Sequence, residues 1–399
     1  MVNKIIRLVN FRLLALIIVL LSIIISIPRY YWAPFPGTSD YIYHYTHYNN
    51  FLLFKYSFYH LIQHKDLYLG WPGERHYDLF KYSPAFAFLM APIAILPNLL
   101  GLIVWTALNG LILFYAFWKF PFKNDNYRLL AIVFVFPEAI TSMEIFQSNC
   151  LVVGLIILAY LAIERKNIAI AAMLIIASAF IKLFGIAALV IFLFYPNKAK
   201  AALWTFIWLL VFAFLPLLVI TPTELLAVYH SWVRCLSEDY SVSYGFSVMG
   251  WLYTWFGINA KSIIMLIGII LFLIPLLRIR SFHNAMFRQL FLASILIWMI
   301  IFNYKSESPT FIIAVSGIAI WFFTQEYKPI NLGLLLFALV FTILSATDLF
   351  PKSIRDNYMI PFVVKVIPCT IIWIKVIYDL LTTDFPGSAI KPLSHRPLL

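Results

Sequence analysis

The sequence predicts an all-α polytopic membrane protein, and its composition, its long apolar stretches and the placement of its basic residues support this class. Hydrophobic residues make up 63% of the 399 residues and charged residues only 12%. Soluble domains average about 45–50% apolar and about 25% charged residues. A soluble fold of this size could not bury so much apolar surface, so soluble enzymes and disordered proteins are excluded.

The formal net charge of +12 would indicate nucleic-acid binding in a soluble protein. In a membrane protein, basic residues instead gather in cytoplasmic connections, so we expect a lipid bilayer as a partner and no nucleic acid. The three cysteines, Cys150, Cys235 and Cys369, are too widely spaced to predict a metal site or a disulfide framework.

The first transmembrane helix is expected at the amino terminus, within residues 1–28. Lys4, Arg7 and Arg12 precede the apolar run 13–27. No small-x-small cleavage site follows this run, so we interpret it as an uncleaved helix that starts in the cytoplasm.

A large first loop, residues 29–82, follows this helix and is rich in aromatic residues. Apolar side chains recur at helical spacing from Phe51 to Ile62, with polar residues such as Ser57 and His60 between them. This pattern predicts an amphipathic helix that lies on the membrane interface. An ordinary aromatic belt at the interface is the alternative.

Most of the remaining chain divides into apolar stretches near the length of about 20 residues that a spanning helix needs. The stretch 168–195 is long enough for two short helices that meet near Lys182. Together the stretches predict about 12 transmembrane helices in a single membrane domain, with helical bundles at 83–220 and 261–399 and a second loop at 221–260. The apolar stretches are 83–96, 98–118, 129–146, 149–163, 168–195, 201–220, 261–277, 289–303, 310–324, 331–347 and 359–379.

Basic connections orient the predicted helices, because lysine and arginine favour cytoplasmic loops. Residues 164–166, 198–200 and 278–288 are basic, which places both large loops on the exoplasmic side and both termini in the cytoplasm. The basic segment 119–128 fits the cytoplasmic side only if residues 83–96 enter the membrane and return, or merge with the next helix.

Ionisable groups at membrane depth are informative, because a charge at the bilayer centre costs about 2.5–3.5 kcal/mol on insertion scales and usually lines a cavity. Lys182, Lys305, Glu307 and Lys365 fall near the exoplasmic ends of predicted helices. Snorkelling of the lysines to the interface is the alternative. For Glu307 the alternative is a surface ion pair with Lys305.

Further polar residues fall in the same predicted region. Gln147 and Asn149 begin a helix, where their amides could bind sugar hydroxyl groups. Asp40 lies in the first loop and is a candidate for catalysis, while an aspartate that caps a helix start is the alternative.

Nucleotide and metal sites are not predicted. The chain has no G-x-x-x-x-G-K-[ST] phosphate loop and no Rossmann glycine fingerprint, and no Asp-x-Asp pair for a nucleotide-sugar metal site. His44 and His47 form a His-x-x-His spacing, which is weak evidence for a metal ligand set. We therefore expect no cofactor and no metal, and a donor that is reached from within or beside the membrane.

A series of short motifs runs in order through the first half of the chain: Asp40 and Tyr43, Asp66-Leu67-Tyr68, Lys81-Tyr82-Ser83-Pro84, Leu96-Pro97, Trp105, Asn109, Gln147-Ser148-Asn149 and Lys182. In order and spacing they resemble glycosyltransferase family 87, the polyprenol-phosphate-mannose-dependent mannosyltransferases and their bacterial relatives, within the GT-C superfamily. The sequence departs from that pattern at Phe146, where a small residue is usual, and after Lys182, where a proline is absent.

The resemblance implies a GT-C-like fold with a large first exoplasmic loop and an active site on the exoplasmic side of the plasma membrane. It implies an inverting hexosyltransferase that moves a sugar, with mannose as the implied example, from a polyprenyl phosphate to a glycan or lipid acceptor. A polysaccharide ligase or polymerase is one alternative. A transporter or lipid flippase is another, and it would be expected to show repeat symmetry with helices broken at the membrane midplane.

The resemblance, together with the positions of charged residues in the loops and near predicted helix ends, gives expected roles to residues. Asp40 is the catalytic base, with Asp66 and Asp78 in reserve, since a phosphate leaving group needs no general acid and one carboxylate suffices, unlike the two of glycosidases. The expected ligands of the donor phosphate are Lys182, Lys305, Lys365 and Arg234. The expected ligands of the sugar or acceptor are Tyr43, Tyr82, Lys81, Gln147, Asn149 and Glu307.

Overall fold

The computed structural model describes residues 10–35, 45–71, 74, 78–238, 244–347 and 349–385, and the regular structure within these ranges is helical. This confirms the all-α class predicted from composition. The helices, in chain order, are α1 (Phe11–Tyr31), α2 (Asn49–Ile62), α3 (Pro84–Leu89), α4 (Ala91–Ala94), α5 (Asn98–Lys119), α6 (Asp125–Glu144), α7 (Asn149–Glu164), α8 (Ile168–Ile181), α9 (Lys198–Phe214), α10 (Pro222–Glu238), α11 (Val248–Phe256), α12 (Lys261–Leu273), α13 (Ala285–Ile301), α14 (Ile312–Thr324), α15 (Pro329–Ala338), α16 (Lys352–Ile354) and α17 (Val366–Thr382). A long 3₁₀ helix, Leu183–Phe194, lies between α8 and α9.

Three helices in the described ranges are long and apolar enough to cross a membrane, namely Phe11–Tyr31, Asn98–Lys119 and Lys198–Leu218. Their lengths and composition support a membrane protein, whereas the number of about 12 transmembrane helices stays a prediction. Apolar helices of 10–17 residues accompany them: Asn149–Glu164, Ile168–Ile181, Leu183–Phe194, Lys261–Leu277, Ala285–Ile301, Ser308–Thr324 and Pro329–Ile343.

Asparagine side chains begin several helices where a polar connection gives way to an apolar run. Oδ1 of Asn124 accepts a hydrogen bond from the backbone N–H of Tyr127 at 2.9 Å. Such a cap satisfies one of the N–H groups that the first helical turn leaves unpaired. The same arrangement starts other helices at Asn10, Asn167, Asn197 and Asn284.

The core of the bundle is formed by α7, α13 and α14, whose side chains are buried on nearly every face. α13 packs along α14, while α5 and α8 pack against α7. Trp105, Trp321 and Trp373 are among the largest fully buried side chains. A helix that is apolar all round belongs in the interior of a large protein or in a membrane, and these helices follow that rule.

One end of the bundle gathers basic connections, and we call it the basic end. The guanidinium of Arg288 forms a two-pronged ion pair with the carboxylate of Glu164, with both N–O distances at 2.6 Å. Phe194 packs edge-to-face on Phe282 at 4.8 Å between ring centroids. These contacts join the connections that follow α7, the 3₁₀ helix and α12, for which the sequence predicts one side of the membrane.

The basic segment 119–128 also lies at the basic end. Lys123 pairs with Glu326 at 2.6 Å, and the side-chain amide of Gln289 donates a hydrogen bond to the carbonyl oxygen of Pro121 at 3.4 Å. The basic residues of this segment therefore lie at the same end of the bundle as the other basic connections.

Residues 83–96 explain how this segment reaches the basic end. They form the two short helices α3 and α4, of 6 and 4 residues, and a helix of 6 residues is roughly 9 Å long. Neither helix can cross a hydrocarbon layer of about 30 Å. The structure thus removes 83–96 from the predicted spanning helices and favours the alternative in which this stretch returns to its own side.

Residues 168–195 form two helices, as the sequence predicts. α8 ends directly before Lys182 and the 3₁₀ helix begins directly after it. A Cβ atom at Gly185 would lie 2.7 Å from Oγ of Ser178 and 2.9 Å from its backbone carbonyl carbon. Glycine therefore permits the close approach of the two helices, and the predicted junction near Lys182 is confirmed.

The helix predicted in the first loop is present as α2, but its surroundings differ from the prediction. Phe51 and Phe54 are buried as expected, yet Ser57 and His60 on the polar side are buried too, at 1% and 4% exposure. His60 pairs with Glu74 at 2.7 Å, and α2 packs against α3 and α4. The polar side of α2 is therefore covered by protein rather than free at an interface, because its groups find partners within the loop.

The two large loops meet at the end of the bundle opposite the basic end. The predicted second loop, 221–260, contains α10 and α11. The hydroxyl of Ser231 donates to Oδ2 of Asp66 at 2.8 Å, and the indole N–H of Trp232 donates to the carbonyl oxygen of Lys81 at 3.1 Å. Both loops therefore lie on one side of the bundle, in agreement with the sequence.

Candidate active site

A cavity of about 270 Å³ opens at the end of the bundle that carries the two loops, and we call it the polar cavity. Parts of the chain that are far apart in sequence form its wall, from the end of α1 to the linker between α13 and α14. The lining residues are Arg29, Phe35, Tyr45, His47, Asn49, Asn50, Asp78, Ile145, Gln147 and Glu307.

Arg29 is a cavity residue that the sequence analysis did not select. Its guanidinium pairs with Glu144 at 3.2 Å and lies 4.8 Å from the centroid of the Trp32 ring. A guanidinium has five N–H donors, so one ion pair leaves donors for an anionic ligand. The sequence signal that could have identified Arg29 is its position. It lies near the end of the first helix, whereas the other basic residues of the amino-terminal region lie at or before the start of that helix.

Of the two reserve candidates for the base, Asp78 lines the polar cavity. Its carboxylate pairs with the ammonium of Lys81 at 3.2 Å. Asp66, the other reserve candidate, accepts hydrogen bonds from the hydroxyl of Ser231 at 2.8 Å and from the backbone N–H of Tyr68 at 2.9 Å. Because Asp78 is among the described residues that line the polar cavity and Asp66 is not, Asp78 is the stronger of these two candidates.

Gln147 reaches the polar cavity because of the tight turn between α6 and α7. Phe146 in this turn has a positive φ of 57°, and its carbonyl oxygen accepts a hydrogen bond from the indole of Trp105 at 2.9 Å. The hydroxyl of Tyr82 donates to Oε1 of Gln147 at 3.0 Å. Burial raises the pKa of Tyr82, so its hydroxyl stays protonated and orients the Gln147 amide.

Lys182, which was assigned to the donor phosphate, lies beside Tyr82, which was assigned to the sugar or acceptor. Its Nζ is 5.9 Å from the centroid of the Tyr82 ring and 6.0 Å from that of Phe184. The carboxylate of Glu307 interacts electrostatically with both Lys182 and Tyr82. The structure therefore brings together a cation, a phenol and a carboxylate from three separate parts of the chain.

Lys305 lies in the loop that carries Glu307, between α13 and α14. Its Nζ is 5.7 Å from the centroid of the Tyr304 ring, and its backbone N–H donates to Oδ1 of Asn303 at 2.9 Å. Among the described residues, Glu307 lines the polar cavity but Lys305 does not. A cavity shared by Lys182 and Lys305 stays a prediction.

Asn149 has a different role from the predicted contact with a sugar. Its side chain is fully buried at the start of α7, and Nδ2 donates to the carbonyl oxygen of Pro309 at 3.0 Å. The side chain points into the bundle because the helix begins there and turns it away from the cavity. The structure therefore assigns Asn149 to holding the segment after Glu307.

Lys365, which was predicted to bind the donor phosphate, is also buried inside the bundle. Its side chain is buried at 2% exposure, and its ammonium pairs with Oε1 of Glu138 at 2.7 Å. An enclosed ammonium that already has a carboxylate partner is not available to a lipid phosphate. The predicted phosphate contact of Lys365 is thus replaced by a buried ion pair.

A second cavity of about 320 Å³ lies next to the polar cavity, and we call it the side cavity. It contains Lys81 and Arg234, two residues that the sequence analysis selected separately. Lys81 connects the cavities because it also pairs with Asp78 of the polar cavity. The lining residues are Tyr68, Leu69, Leu79, Lys81, Ser231, Arg234, Cys235 and Glu238.

Two predicted site residues, Asp40 and Tyr43, lie outside the described residues. The segment that contains them is flanked by Phe35 and Tyr45, and both flanking residues line the polar cavity.

The described residues contain no group of three or more His, Cys, Asp or Glu side chains that could hold a metal ion. Nε2 of His47 lies 3.1 Å from the carbonyl oxygen of Ala33, so this nitrogen carries the proton. Burial lowers the pKa of His47, which favours the neutral ring. His44, its partner in the His-x-x-His spacing, lies outside the described residues.

A family model described as glycosyltransferase family 87 matches residues 80–303, more than half of the chain. The match begins after Asp40 and ends before Lys305, and it extends further into the second half than the motifs noted in the sequence. A search of curated proteins found no match. Six of the predicted site residues fall within the matched range: Lys81, Tyr82, Gln147, Asn149, Lys182 and Arg234.

Proposed function

The chain belongs to glycosyltransferase family 87, and we propose that it transfers a sugar from a polyprenyl phosphate to a glycan or lipid acceptor. We place the reaction in the polar cavity, on the exoplasmic side of the plasma membrane. Mannose is the sugar that the family resemblance implies for the donor.

The observation that supports this proposal is the set of residues that line the polar cavity. The two residues that flank the loop, Phe35 and Tyr45, line the same cavity as Gln147 and Glu307. Asp40 falls between these two residues in the sequence, and the family resemblance gives it the role of the base. One base, hydroxyl ligands and nearby cations are the groups that transfer from a lipid phosphate requires.

The proposed reaction is a single displacement. The Asp40 carboxylate takes the proton of the acceptor hydroxyl while the acceptor oxygen forms a bond to the anomeric carbon. The bond from that carbon to the phosphate oxygen breaks, and the polyprenyl phosphate leaves with the electron pair. General-base assistance of this kind contributes about 10²–10⁴-fold, and one displacement inverts the anomeric carbon.

Cations near the two cavities would stabilise the departing phosphate. Arg29 lines the polar cavity, Lys182 lies beside Tyr82, and Arg234 shares the side cavity with Lys81. Arginine and lysine bind phosphate through charge-assisted hydrogen bonds, and fixed positive charge at a developing anion lowers the barrier. We assign the donor phosphate to this group together with Lys305, as the sequence predicts, and leave the buried Lys365 out of it.

Hydroxyl groups of the acceptor would bind at Glu307 and Gln147, and we call this part of the polar cavity the acceptor wall. Glu307 is exposed to the cavity, and the amide of Gln147 is oriented by Tyr82. A carboxylate accepts hydrogen bonds and an amide both donates and accepts them, which suits sugar hydroxyls. Glu307 therefore serves the acceptor in this proposal, and Asp40 serves as the base.

The test is an assay of the purified protein in lipid nanodiscs. Polyprenyl phosphates that carry labelled mannose or glucose serve as donors, total membrane glycolipids serve as acceptors, and nucleotide sugars serve as control donors. We expect label transfer from a lipid-linked donor with inversion at the anomeric carbon, and a transfer rate lower by about 10²-fold or more in Asp40→Asn. Transfer from a nucleotide sugar alone, or retention of the anomeric configuration, would contradict the proposal.

A further inference from the structure

A buried ion pair stands directly behind the wall of the polar cavity. Nζ of Lys365 lies 2.7 Å from Oε1 of Glu138 and 2.9 Å from Oγ of Ser308. Both charged side chains are almost fully enclosed, at 2% exposure for Lys365 and 1% for Glu138. Ser308 is the residue that follows Glu307 in the chain, so the ammonium is bonded to the immediate neighbour of a cavity residue.

The segment around Glu307 is held from several sides. Asn149 donates to the carbonyl oxygen of Pro309 at 3.0 Å, and the backbone N–H of Phe246 donates to the carbonyl oxygen of Ser306 at 2.8 Å. With the bond from Lys365 to Ser308, the residues on each side of Glu307 are fixed while its own side chain faces the cavity. A side chain that binds a ligand must be held in one orientation by its neighbours, and these hydrogen bonds provide such support.

We propose that Lys365 is a positioning residue, which acts through Ser308 to hold the Glu307 carboxylate at the acceptor wall of the polar cavity. The inference rests on the proposed function of that cavity. Glu138 has the supporting role of orienting the Lys365 ammonium through their ion pair. Neither residue touches the substrates.

The cost of the ion pair supports a role beyond packing. Taking two charges out of water is expensive, and apolar residues of similar volume in place of a buried pair are often neutral or stabilising. Oε2 of Glu138 is buried without a hydrogen-bond partner among the described residues, so the pair is not an optimal structural element. What apolar residues could not replace is the hydrogen bond that the ammonium donates to Ser308.

The test is a double-mutant cycle on Ser308 and Glu307, read out as acceptor KM and kcat in the nanodisc assay. Ser308→Ala removes one hydroxyl and keeps the ion pair. We expect it to raise the acceptor KM roughly 3- to 10-fold, the range that one lost hydrogen bond predicts, with little change in kcat and in the donor KM. In a Glu307→Ala background, the same substitution should change the acceptor KM less than about twofold, because no carboxylate is left to position.

Ser316→Ala is the matched control, since Ser316 is buried in α14 and its Oγ has no hydrogen-bond partner among the described residues. It should leave the acceptor KM unchanged. An equal rise of KM from Ser308→Ala in both backgrounds would show that Ser308 does not act through Glu307. No rise in the wild-type background, with a clear effect of Glu307→Ala, would also overturn the inference. If Glu307→Ala itself leaves the acceptor KM unchanged, the proposed role of Glu307 fails, and this inference fails with it.

A second variant tests Lys365 without leaving a charge unpaired. Glu138→Leu combined with Lys365→Met removes both charges and also the bond to Ser308. Where this variant elutes as a monodisperse protein, the acceptor KM should rise to the value of Ser308→Ala. A folded variant with the wild-type acceptor KM would show that Lys365 has a structural role alone.

Discussion

The backbone N–H of Phe35 donates a hydrogen bond to the carbonyl oxygen of Tyr45 at 2.8 Å, and their rings stack with centroids 4.9 Å apart. Both residues line the polar cavity. Asp40 is five residues from each of them, so an extended chain would carry it at most about 18 Å from this contact. The pairing thus brings the two ends of the segment that contains the predicted base together at the cavity, although Phe35 and Tyr45 are not part of the matched family range.

The first prediction concerns Asp40 as the general base. Asp40→Asn keeps the size of the side chain and removes its ability to accept the proton, so turnover should fall by on the order of 10²-fold or more. Asp66→Asn is the control, because the Asp66 carboxylate is engaged with Ser231 outside the polar cavity. Initial rates in nanodiscs measure the turnover of both variants. Near wild-type turnover of Asp40→Asn would move the assignment to Asp78.

The second prediction concerns the lysines assigned to the donor phosphate. Lys182→Met and Lys305→Met should each raise the donor KM about tenfold, the effect expected for a lost charge-assisted hydrogen bond, and change the acceptor KM less. Lys123→Met at the basic end, where Lys123 pairs with Glu326, is the control. Unchanged donor affinity in both variants would mean that these lysines only extend to the membrane interface.

The third prediction separates acceptor binding from base catalysis. Glu307→Gln keeps the hydrogen-bonding oxygen but loses the negative charge. We expect a higher acceptor KM and altered acceptor choice, with a much smaller loss of kcat than in Asp40→Asn. Acceptor titrations at saturating donor measure this. Loss of turnover with acceptor binding intact would instead identify Glu307 as the base.

The fourth prediction concerns the stability of the Glu138–Lys365 pair. Lys365→Met alone leaves the Glu138 carboxylate buried and unpaired, which should cost about 3–5 kcal/mol of unfolding free energy. Adding Glu138→Leu should restore most of that loss, because no buried charge remains. Denaturant unfolding in detergent micelles compares the two variants. Equal destabilisation of the single and double variants would show that the pair contributes through packing rather than charge.

The fifth prediction concerns the side of the membrane that the polar cavity faces. Leu69→Cys in the first loop and Leu226→Cys in α10 place thiols at exposed positions, whereas the three native cysteines are buried. An impermeant thiol reagent should label both variants in intact cells. Arg280→Cys at the basic end should react only after lysis. The reverse pattern would place the cavity in the cytoplasm.

The all-α class and the positions of most helices follow from the amino-acid sequence alone. The apolar run predicted at 149–163 is the helix Asn149–Glu164, and the break predicted near Lys182 separates α8 from the 3₁₀ helix. Such features are local, because the length of an apolar run and the residue that caps it decide where a helix starts and ends. The order of short motifs was also enough to indicate the family.

The tertiary structure alone decided which polar side chains meet. Gln147 and Asn149 are two residues apart, yet one lines the cavity and the other is buried against Pro309, because the turn at Phe146 and the start of α7 aim them differently. Lys365 forms its ion pair with Glu138, which is 227 residues away in the sequence. Hydropathy records that a residue is charged but not which residue will neutralise it, since that depends on how distant helices pack around the buried group.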